Sequence, residues 1–188
     1  MSFASSAEKQ CVVVTGLPGS GKSTTGRDVA REIDFNFLDK DDYLEELFQQ
    51  RGSGDLEWRQ KLSRDSDKQF QQDAVKSNSV VLVSHWRPAG VDSGSGTPSE
   101  WLEQHFTRVV ELYCSCPVEE ATRRFIKRRR HPGHLDTHRT AEEILEWMTG
   151  YQRLLPLRLG ILETICTNSK VQLGQIVGRL GRHVRVGR

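Results

Sequence analysis

Residues 16–23 read GLPGSGKS, which matches the spacing G-x-x-x-x-G-K-[ST]. Glycines at this spacing let the backbone curl so that its N–H groups converge on phosphate oxygens, and a helix that follows adds positive potential from its N-terminus. The lysine reaches the β- and γ-phosphates of a nucleotide, and the serine after it offers a hydroxyl to Mg²⁺. The segment predicts a site for ATP and Mg²⁺, formed by Gly16, Leu17, Pro18, Gly19, Ser20, Gly21, Lys22, Ser23 and Thr24.

The flanks of this segment distinguish a phosphate-binding loop from a glycine-rich turn that matches by chance. CVVVT at 11–15 is a short apolar run, typical of a central parallel strand. After Lys22, an apolar stripe formed by Val29, Ala30 and Ile33 is typical of a helix. Because a chance turn would not be expected to have both flanks, we interpret the segment as the loop between a first strand and a first helix.

Acidic residues that could act opposite this loop lie at the end of the second predicted strand, in LDKDD at 38–42. Ligands of parallel sheets gather at the carboxyl ends of the strands, so Ser23, Asp39 and Asp41 are expected to lie close together. A carboxylate beside a hydroxyl can accept its proton while a phosphoryl group moves onto the oxygen. The alternative is that Asp41 and Asp42 only cap a helix. We favour the chemical role for Asp41 and the capping role for Asp42.

Two large classes of nucleotide-binding protein lack their characteristic features in this chain. A G protein normally carries D-x-x-G and N-K-x-D segments, and neither is present. A motor ATPase usually has a carboxylate at the end of its third strand, where this chain has Val83-Ser84-His85. The class that remains is the kinases, which transfer the γ-phosphoryl group of ATP to an acceptor hydroxyl. A protein that binds ATP and transfers nothing, acting only as a switch, stays an alternative.

The chain resembles the P-loop kinases of hydroxyl acceptors, which share the nucleoside monophosphate kinase-like fold. Asp39-Lys40-Asp41 is similar to the D-x-D of shikimate kinases, which belong with the gluconate kinases to one group of P-loop kinases. GLPGSGKST followed by LDKDDYLEEL is similar to polynucleotide 5′-hydroxyl kinase, although Leu44 replaces the arginine of that family's R-D-D-Y-R. The resemblance implies that Asp41 is the catalytic base and that Asp39 holds a magnesium-bound water beside Ser23.

Positive charge concentrates between Arg123 and Arg139, which holds six Arg, one Lys, three His and one Asp. The run begins on a predicted helix and ends at HPGH, so it predicts a hinged basic lid over 123–140 that closes on the phosphates. The resemblance places Arg124 near the adenine and catalytic Arg128 on the phosphates. One alternative is that these basic residues only complement the dipole at the end of the helix. A nucleic-acid-binding surface is another, although no aromatic residue is interleaved among the arginines to stack on bases. A localisation signal is the third.

Residues after the third strand are candidates for binding the acceptor. Arg87 could pair with an anionic group, and Trp86 could stack on a ring or sugar face. The alternative for Trp86 is that it anchors the glycine-rich loop that follows against the core. Roles for His85 and for the lid histidines His131, His134 and His138 stay open, and the adenine loop is expected near Thr167-Asn168-Ser169.

The elements that must position these residues alternate along the chain. Apolar runs predict strands at 11–15, 35–39, 79–83, 109–113 and 161–166. Helices are predicted from residue 22, and at 41–50, 56–76, 100–105, 117–127, 141–155 and 171–180. Alternation of this kind indicates a three-layer α/β fold with a parallel five-stranded sheet. The resemblance implies the strand order 2-3-1-4-5.

The bulk composition fits one compact domain over 11–182, between a disordered tail at 1–10 and a basic tail at 183–188. The chain has 188 residues, of which 28% are charged, and a net charge of +2. No apolar run is long enough to cross a bilayer, and the polar start predicts a cytoplasmic protein. Its cysteines predict buried thiols, with a zinc site at Cys114, Cys116, His131 and His134 as a weaker alternative.

These observations predict an ATP- and Mg²⁺-dependent kinase of a small hydroxylated metabolite, such as a sugar acid, a nucleoside or an antibiotic. A polynucleotide 5′-hydroxyl is the second expectation for the acceptor, and no membrane partner is expected. The sequence does not identify the acceptor or the oligomeric state.

Overall fold

The structure is a computed structural model that describes residues 8–88, 90, 96–136 and 139–186. Its centre is one sheet of five parallel strands in the order β2-β3-β1-β4-β5. Both the parallel pairing and this order confirm the prediction. The strands are β1 (Gln10–Gly16), β2 (Asn36–Asp39), β3 (Ser79–Val83), β4 (Arg108–Ser115) and β5 (Ile161–Cys166).

Helices connect the strands, and a short 3-10 turn, Pro132–His134, lies within the predicted lid. Side chains fix several of the starts: Asp55 Oδ1 accepts from Trp58 N at 2.9 Å, and Thr140 forms a capping box with Glu143. The helices are α1 (Lys22–Ile33), α2 (Lys40–Arg51), α3 (Leu56–Lys76), α4 (Leu102–His105), α5 (Val118–Lys127), α6 (Ala141–Gln152) and α7 (Leu173–Leu180).

The two faces of β1 pack into two separate cores. Val12 and Val14 point to the face covered by α1 and α7, and Val13 points to the face covered by α3. All three are fully buried, and burying a valine side chain contributes about 1.5–3 kcal/mol relative to exposure. Because both faces are covered, β1 reads as a continuous apolar run, as expected of a central parallel strand. This packing fixes the height at which the loop after β1 leaves the sheet.

A buried carboxylate joins the chain after α6 to the sheet. Glu111, on β4, accepts a hydrogen bond from Thr15 Oγ1 at 2.6 Å and one from each of the backbone N–H groups of Leu157 and Leu159 at 2.9 Å. These three donors compensate the loss of hydration that burial of the carboxylate would otherwise cost. Glu111 thereby positions the segment that leads into β5.

The packed region extends beyond the predicted domain limits at both ends. Gln10 belongs to β1, and its side chain hydrogen-bonds the backbone N–H and carbonyl of Arg185 at 2.8 and 2.7 Å. Val184 is also buried. Of the tails predicted at 1–10 and 183–188, residues 1–7 and 187–188 lie outside the described residues. No helix in the described part of the chain has the length and apolar character that crossing a membrane requires.

Candidate active site

The loop between β1 and α1 is shaped by glycines that no other residue could replace without strain. Gly16, Gly19 and Gly21 have φ angles of 138°, 82° and 87°, a region that L side chains rarely adopt. A Cβ at Gly19 would also lie 2.3 Å from the carbonyl oxygen of Ala121. Gly21 is the N-cap of α1, so the first turn of this helix opens at the loop, where its N–H groups can bind an anion.

Lys22 lies over the loop and is held by neutral groups. Its Nζ donates hydrogen bonds to the carbonyl oxygens of Gly16 and Leu17, both at 2.9 Å. Burial lowers the pKa of Lys22 to about 8, and the positive charge of Arg128 acts in the same direction. Among the described residues the Lys22 ammonium donates hydrogen bonds to these carbonyl oxygens and to no carboxylate, and phosphate oxygens at this point would be stronger partners.

The two residues predicted to hold Mg²⁺ lie close together at this edge of the sheet. The carboxylate of Asp39 is 5% exposed at the end of β2, and the nearby hydroxyl of Ser23 acts to lower its pKa. Burial is the main cause that raises the pKa of Asp39 to about 6, and the negative charge of Asp41 acts in the same direction as burial. A hydroxyl and a carboxylate are oxygen ligands that suit Mg²⁺, whose charge would favour the ionised carboxylate. The donor set therefore fits this cation.

Asp41 is held by an arginine from the predicted lid. Arg130 pairs with Asp41 Oδ2 and, through Nη1, with Asp136 Oδ2 at 3.0 Å. Burial acts to raise the pKa of Asp41, but neighbouring positive charges, led by Arg130, outweigh it and hold this pKa below its usual value. A carboxylate stabilised in this way is a weak base. Asp41 would become a stronger proton acceptor once Arg130 released it.

The lid docks on one face of α2. Asp41, Glu45 and Phe48 are spaced i, i+4, i+7, so they line one side of this helix. Arg130 pairs with Asp41, and His134 Nε2 lies 3.1 Å from Glu45 Oε1. The ring of Phe48 lies edge-on to His134, with centroids 5.4 Å apart. We call these five residues the α2–lid clasp.

Other lid residues support the clasp rather than a metal. His131 stacks on Phe48 with ring centroids 5.1 Å apart, and its Nδ1 accepts a hydrogen bond from Gly133 N at 3.2 Å. His138 lies outside the described residues. No group of three or more His, Cys, Asp or Glu side chains in the described ranges could hold a metal, so the zinc alternative gains no support.

The clasp predicts a loss of stability in acid. Burial lowers the pKa of His134 to about 3, and the charge of Arg130 adds to this effect. An imidazole in the unfolded chain titrates near 6.5, so below that pH the unfolded chain binds more protons and the native state loses stability until the pH nears 3. We expect His134 alone to lower the free energy of unfolding by about 2 kcal/mol between pH 6.5 and 5.

Urea unfolding at the two pH values measures this loss. The wild-type protein should lose about 2 kcal/mol more than the His134→Gln variant over the same interval. His105→Gln, a change at an exposed histidine on α4, serves as the control and should follow the wild type. Equal pH dependence of the wild type and His134→Gln would contradict a neutral buried imidazole in the clasp.

The two lid arginines singled out in the sequence lie on the nucleotide side. Arg124 Nη1 donates to the carbonyl oxygen of Thr167 at 3.0 Å, in the loop after β5 where adenine binding is predicted. Arg128 packs over the ring of Phe125, 4.3 Å from its centroid, and its charge acts on Lys22. Burial lowers the pKa of Arg128 to about 10, and the charge of Arg130 contributes. The roles of Arg124 at the adenine and of Arg128 at the phosphates stay predictions.

Arg59, on α3, is a site residue that the sequence analysis missed. Its Nε is buried and has no hydrogen-bond partner in the described part of the chain. Burial lowers the pKa of Arg59, while the charges of Asp136 and Asp41 oppose that change. Arg130 was predicted only as part of the lid. No local pattern identifies either residue, because α3 reads as an ordinary polar helix and the partner of Arg130 lies 89 positions away.

Two predictions on the acceptor side have different outcomes. Trp86 as an acceptor platform is wrong: its side chain is 1% exposed, packs among Phe70 and Trp101, and donates from Nε1 to the carbonyl oxygen of Val14 at 3.1 Å. It anchors the following loop instead, because it pairs with Thr97 as an isolated parallel bridge. Arg87 lies beyond the end of β3, and its role as an anion-binding residue stays a prediction.

The capping residue of α2 also differs from the prediction. Asp39 is the N-cap, and its Oδ1 accepts from Asp41 N at 3.1 Å. Asp42 caps no helix in the described part of the chain and lies on the exposed side of α2, where its Oδ2 is 3.9 Å from Arg27 Nη2. Asp39 thus has two duties, since it begins α2 and offers its carboxylate beside Ser23. That double role fixes the distance between the end of β2 and Asp41.

Comparison with known proteins identifies the family to which the chain is similar. A family model described as an AAA domain matches residues 11–154, which include the phosphate-binding loop, β2 and the lid. Shikimate kinase from Pseudoalteromonas translucida is 24% identical over 176 residues, covering 93% of this chain and 98% of that protein. Shikimate kinase from Corynebacterium glutamicum is 27% identical over 157 residues and covers 83% of each chain.

Solved structures share the fold over nearly the whole chain. A protein from Chloroflexus aurantiacus, provisionally designated a kinase, superposes with a TM-score of 0.78 at 23% identity and covers 94% of this chain and 99% of its own. Shikimate kinase from Bacteroides thetaiotaomicron superposes with a TM-score of 0.59 at 20% identity and covers 92% of this chain and 97% of its own. Deoxyadenosine kinase from M. mycoides superposes with a TM-score of 0.60 at 12% identity and covers 92% of this chain and 100% of its own.

Proposed function

The chain belongs to the AAA domain family and is a P-loop kinase that uses ATP and phosphorylates a hydroxyl group; we propose that this hydroxyl belongs to a small metabolite that carries an anionic group. The support is a phosphate-binding loop after β1 together with the carboxylates that follow β2, since both strands end at the same edge of the parallel sheet. Shikimate kinase and deoxyadenosine kinase, which are similar to this chain, take their names from small molecules.

In the proposed reaction, the acceptor oxygen forms a bond to the γ-phosphorus of ATP while the bond from that phosphorus to the β–γ bridging oxygen breaks, leaving ADP. The backbone of the loop and Lys22 hold the phosphates, and Arg128 faces the charge that develops on them. Ser23 and Asp39 would hold Mg²⁺, which supplies charge neutralisation on the phosphate oxygens when bound. Arg124 contacts the loop after β5 and is proposed to border the adenine.

Asp41 is proposed to orient the acceptor hydroxyl and take its proton. For this, Arg130 must leave Asp41, because an ion-paired carboxylate has little affinity for a proton. An anionic group on the acceptor can attract Arg130 away. Binding of the acceptor would then free the Asp41 carboxylate to accept the hydroxyl proton. A water molecule in place of the acceptor has no anionic group, so it would leave the ion pair between Arg130 and Asp41 intact.

One observation carries the choice of an anionic acceptor. Arg59 presents a buried Nε without a hydrogen-bond partner among the described residues, and the charges of the Asp136 and Asp41 carboxylates act on this side chain. A buried guanidinium nitrogen that lacks a partner is costly, and a carboxylate or phosphate would satisfy it with a charge-assisted hydrogen bond. This favours sugar acids over neutral nucleosides, and it disfavours cationic antibiotics.

The acceptor class is tested by transfer of radiolabel from [γ-³²P]ATP to matched pairs, namely gluconate with sorbitol and shikimate with its methyl ester. Label should move to an acid and much less to its uncharged partner. For that acid, Arg59→Met is expected to raise KM about 10- to 100-fold, because a hydrogen bond to a charged group contributes about 1.5–3 kcal/mol. KM for ATP should stay within about twofold.

Arg64→Met, a change at an exposed arginine on the same helix, is the control and should behave as the wild type. Equal labelling of acid and uncharged partner, or an unchanged KM in Arg59→Met, would contradict the anionic class. It would leave the kinase reaction itself in place.

A polynucleotide 5′-hydroxyl is a weaker candidate acceptor. Polynucleotide kinases are expected to have an arginine where this chain has Leu44, and Leu44 is 1% exposed within an apolar cluster with Leu47, Phe48 and Leu62. This position faces the core between α2 and α3, so it has no route to a backbone phosphate. Short 5′-hydroxyl oligonucleotides belong in the same screen and should remain unlabelled.

A switch that binds ATP without transferring phosphate is the alternative from another class. It would release inorganic phosphate slowly, whichever acceptor is present, and it would respond to a protein partner. Detection of free phosphate alone, across every acceptor class in the screen, would favour the switch over the kinase.

A further inference from the structure

The strand order places the end of β3 between the two halves of the site. β3 pairs with β1, which leads into the phosphate-binding loop, and with β2, which leads into Asp39 and Asp41. A phosphoryl group that moves from the loop toward Asp41 must therefore pass over the end of β3. The residues that follow Val83 are Ser84 and His85. His85 has a buried ring nitrogen without a hydrogen-bond partner among the described residues.

His85 is held in place from several directions. Its carbonyl oxygen accepts a hydrogen bond from Thr97 N at 2.8 Å. Its ring packs against Tyr151, with centroids 4.4 Å apart, and lies 5.6 Å from the ring of Trp147. Tyr151 is itself fixed, because its hydroxyl donates to the carbonyl oxygen of Trp86 at 2.5 Å. The imidazole is thus pre-positioned on an aromatic wall formed by α6.

The Nδ1 atom of His85 is buried and has no hydrogen-bond partner in the ranges that the structure describes. Such an atom costs about 1–3 kcal/mol and calls for a ligand or a water that completes it. Ser20 Oγ, inside the phosphate-binding loop, is buried and unpartnered in the same way. Burial lowers the pKa of His85 to about 3, and the charge of Lys22 lowers it further, so the ring is neutral near pH 7.

We propose that His85 donates a hydrogen bond from Nδ1 to the γ-phosphoryl group of ATP, and that this contact distinguishes ATP from ADP. The proposal rests on the nucleotide site of the proposed function. An imidazole with so low a pKa is a poor proton acceptor, so His85 does not replace Asp41 as the base. Its part is to hold the transferring group in line with the acceptor.

Calorimetric titration with Mg·AMP-PNP and Mg·ADP tests the proposal without any acceptor. His85→Phe keeps a ring against Tyr151 and removes both nitrogens, whereas His85→Asn places its amide near the position of Nδ1. We expect His85→Phe to lose about 5- to 15-fold in affinity for Mg·AMP-PNP, the equivalent of one hydrogen bond, with binding of Mg·ADP unchanged within about twofold. His85→Asn should recover most of the loss.

His105→Phe is the matched control for a histidine-to-phenylalanine change and should bind both nucleotides as the wild type does. Equal weakening of both nucleotides by His85→Phe, or weakening of neither, would overturn the proposal in favour of a packing role. A wild-type protein that fails to bind Mg·ADP would instead defeat the nucleotide site, so the two failures are distinguishable.

A second measurement uses the unaltered protein in case the phenylalanine variant does not fold. Long-range ¹H–¹⁵N spectra of protein with ¹⁵N-labelled histidine report each imidazole, and His85→Asn assigns the resonance of His85 by its loss. The Nδ1 resonance of His85 should move when Mg·AMP-PNP is added and stay in place with Mg·ADP. The same shift with both nucleotides, or no shift with either, would overturn the proposal.

Discussion

Replacing Lys22 with alanine is expected to lower the rate of ATP-dependent phosphoryl transfer by about 10³-fold or more, the upper range for removal of one charge-stabilising donor. The physical reason is that Lys22 is the buried ammonium above the loop, and its present partners are two neutral carbonyl groups. Phosphate oxygens are the stronger partners, and their charge grows in the transition state. Release of ADP in the presence of an acceptor measures the rate.

The stability of this variant separates a catalytic loss from an unfolded protein. Because burial lowers the pKa of Lys22 to about 8, its ammonium is poorly solvated in the native state, and its removal should leave the melting temperature unchanged or slightly higher. Lys127→Ala, at the exposed end of α5, is the control and should keep full activity. A folded Lys22→Ala protein with a rate near that of the wild type would refute the phosphate-binding assignment.

Asp41→Asn is expected to reduce transfer to the hydroxyl by about 10²-fold or more, the usual loss for a positioned base, with ATP affinity changed by no more than about threefold. The amide keeps the shape of the side chain and cannot accept the acceptor's proton. Arg130 retains its contact with Asp136 in this variant, so the lid keeps one of its anchors. Single-turnover transfer of label measures the step directly.

Asp42→Asn provides the matched control one residue away. Asp42 is exposed and lies 3.9 Å from Arg27, so its loss should leave transfer near the wild-type rate. Unchanged transfer in Asp41→Asn would restrict Asp41 to a structural role in the α2–lid clasp. Equal losses in both variants would point to a general effect on α2 rather than to a base.

Local patterns in the sequence were enough to place most elements. The predicted bounds of α3, β3 and β5 coincide with those of the structure, because apolar spacing and turn residues within each segment decide them. β4 is longer than predicted, running from Arg108 to Ser115, since its ends are set by pairing with β1 and β5. The loop after β1 was identifiable because its glycines and its flanks are contiguous.

Contacts between distant segments could not be read in the same way. The pairing of Arg130 with Asp41 joins a lid to a helix 89 positions away, and no spacing rule reports it. Arg59 resembles any solvent-facing arginine of a polar helix until folding turns it toward the site. Trp86 failed as a prediction for the related reason that aromatic residues serve cores and ligand sites equally well, and its burial against Phe70 decides between them.

The ion pair between Arg130 and Asp41 links the position of the lid to the basicity of Asp41. While the pair holds, the carboxylate is occupied and its pKa is low, so a water molecule is poorly activated. In the proposed mechanism, an acceptor that draws Arg130 away restores the basicity of Asp41 as it arrives. Such a release would favour transfer to the correct alcohol over hydrolysis of ATP, a selection that kinases achieve through closure.

The most direct test of the proposed mechanism is a crystal structure with Mg·ADP, aluminium fluoride and the acceptor identified by label transfer. We expect that Arg130 has left Asp41, that an Asp41 carboxylate oxygen lies within about 3.2 Å of the acceptor hydroxyl, and that this hydroxyl is in line with the bound fluoride complex. Asp41 still paired with Arg130, with the acceptor bound elsewhere, would contradict it.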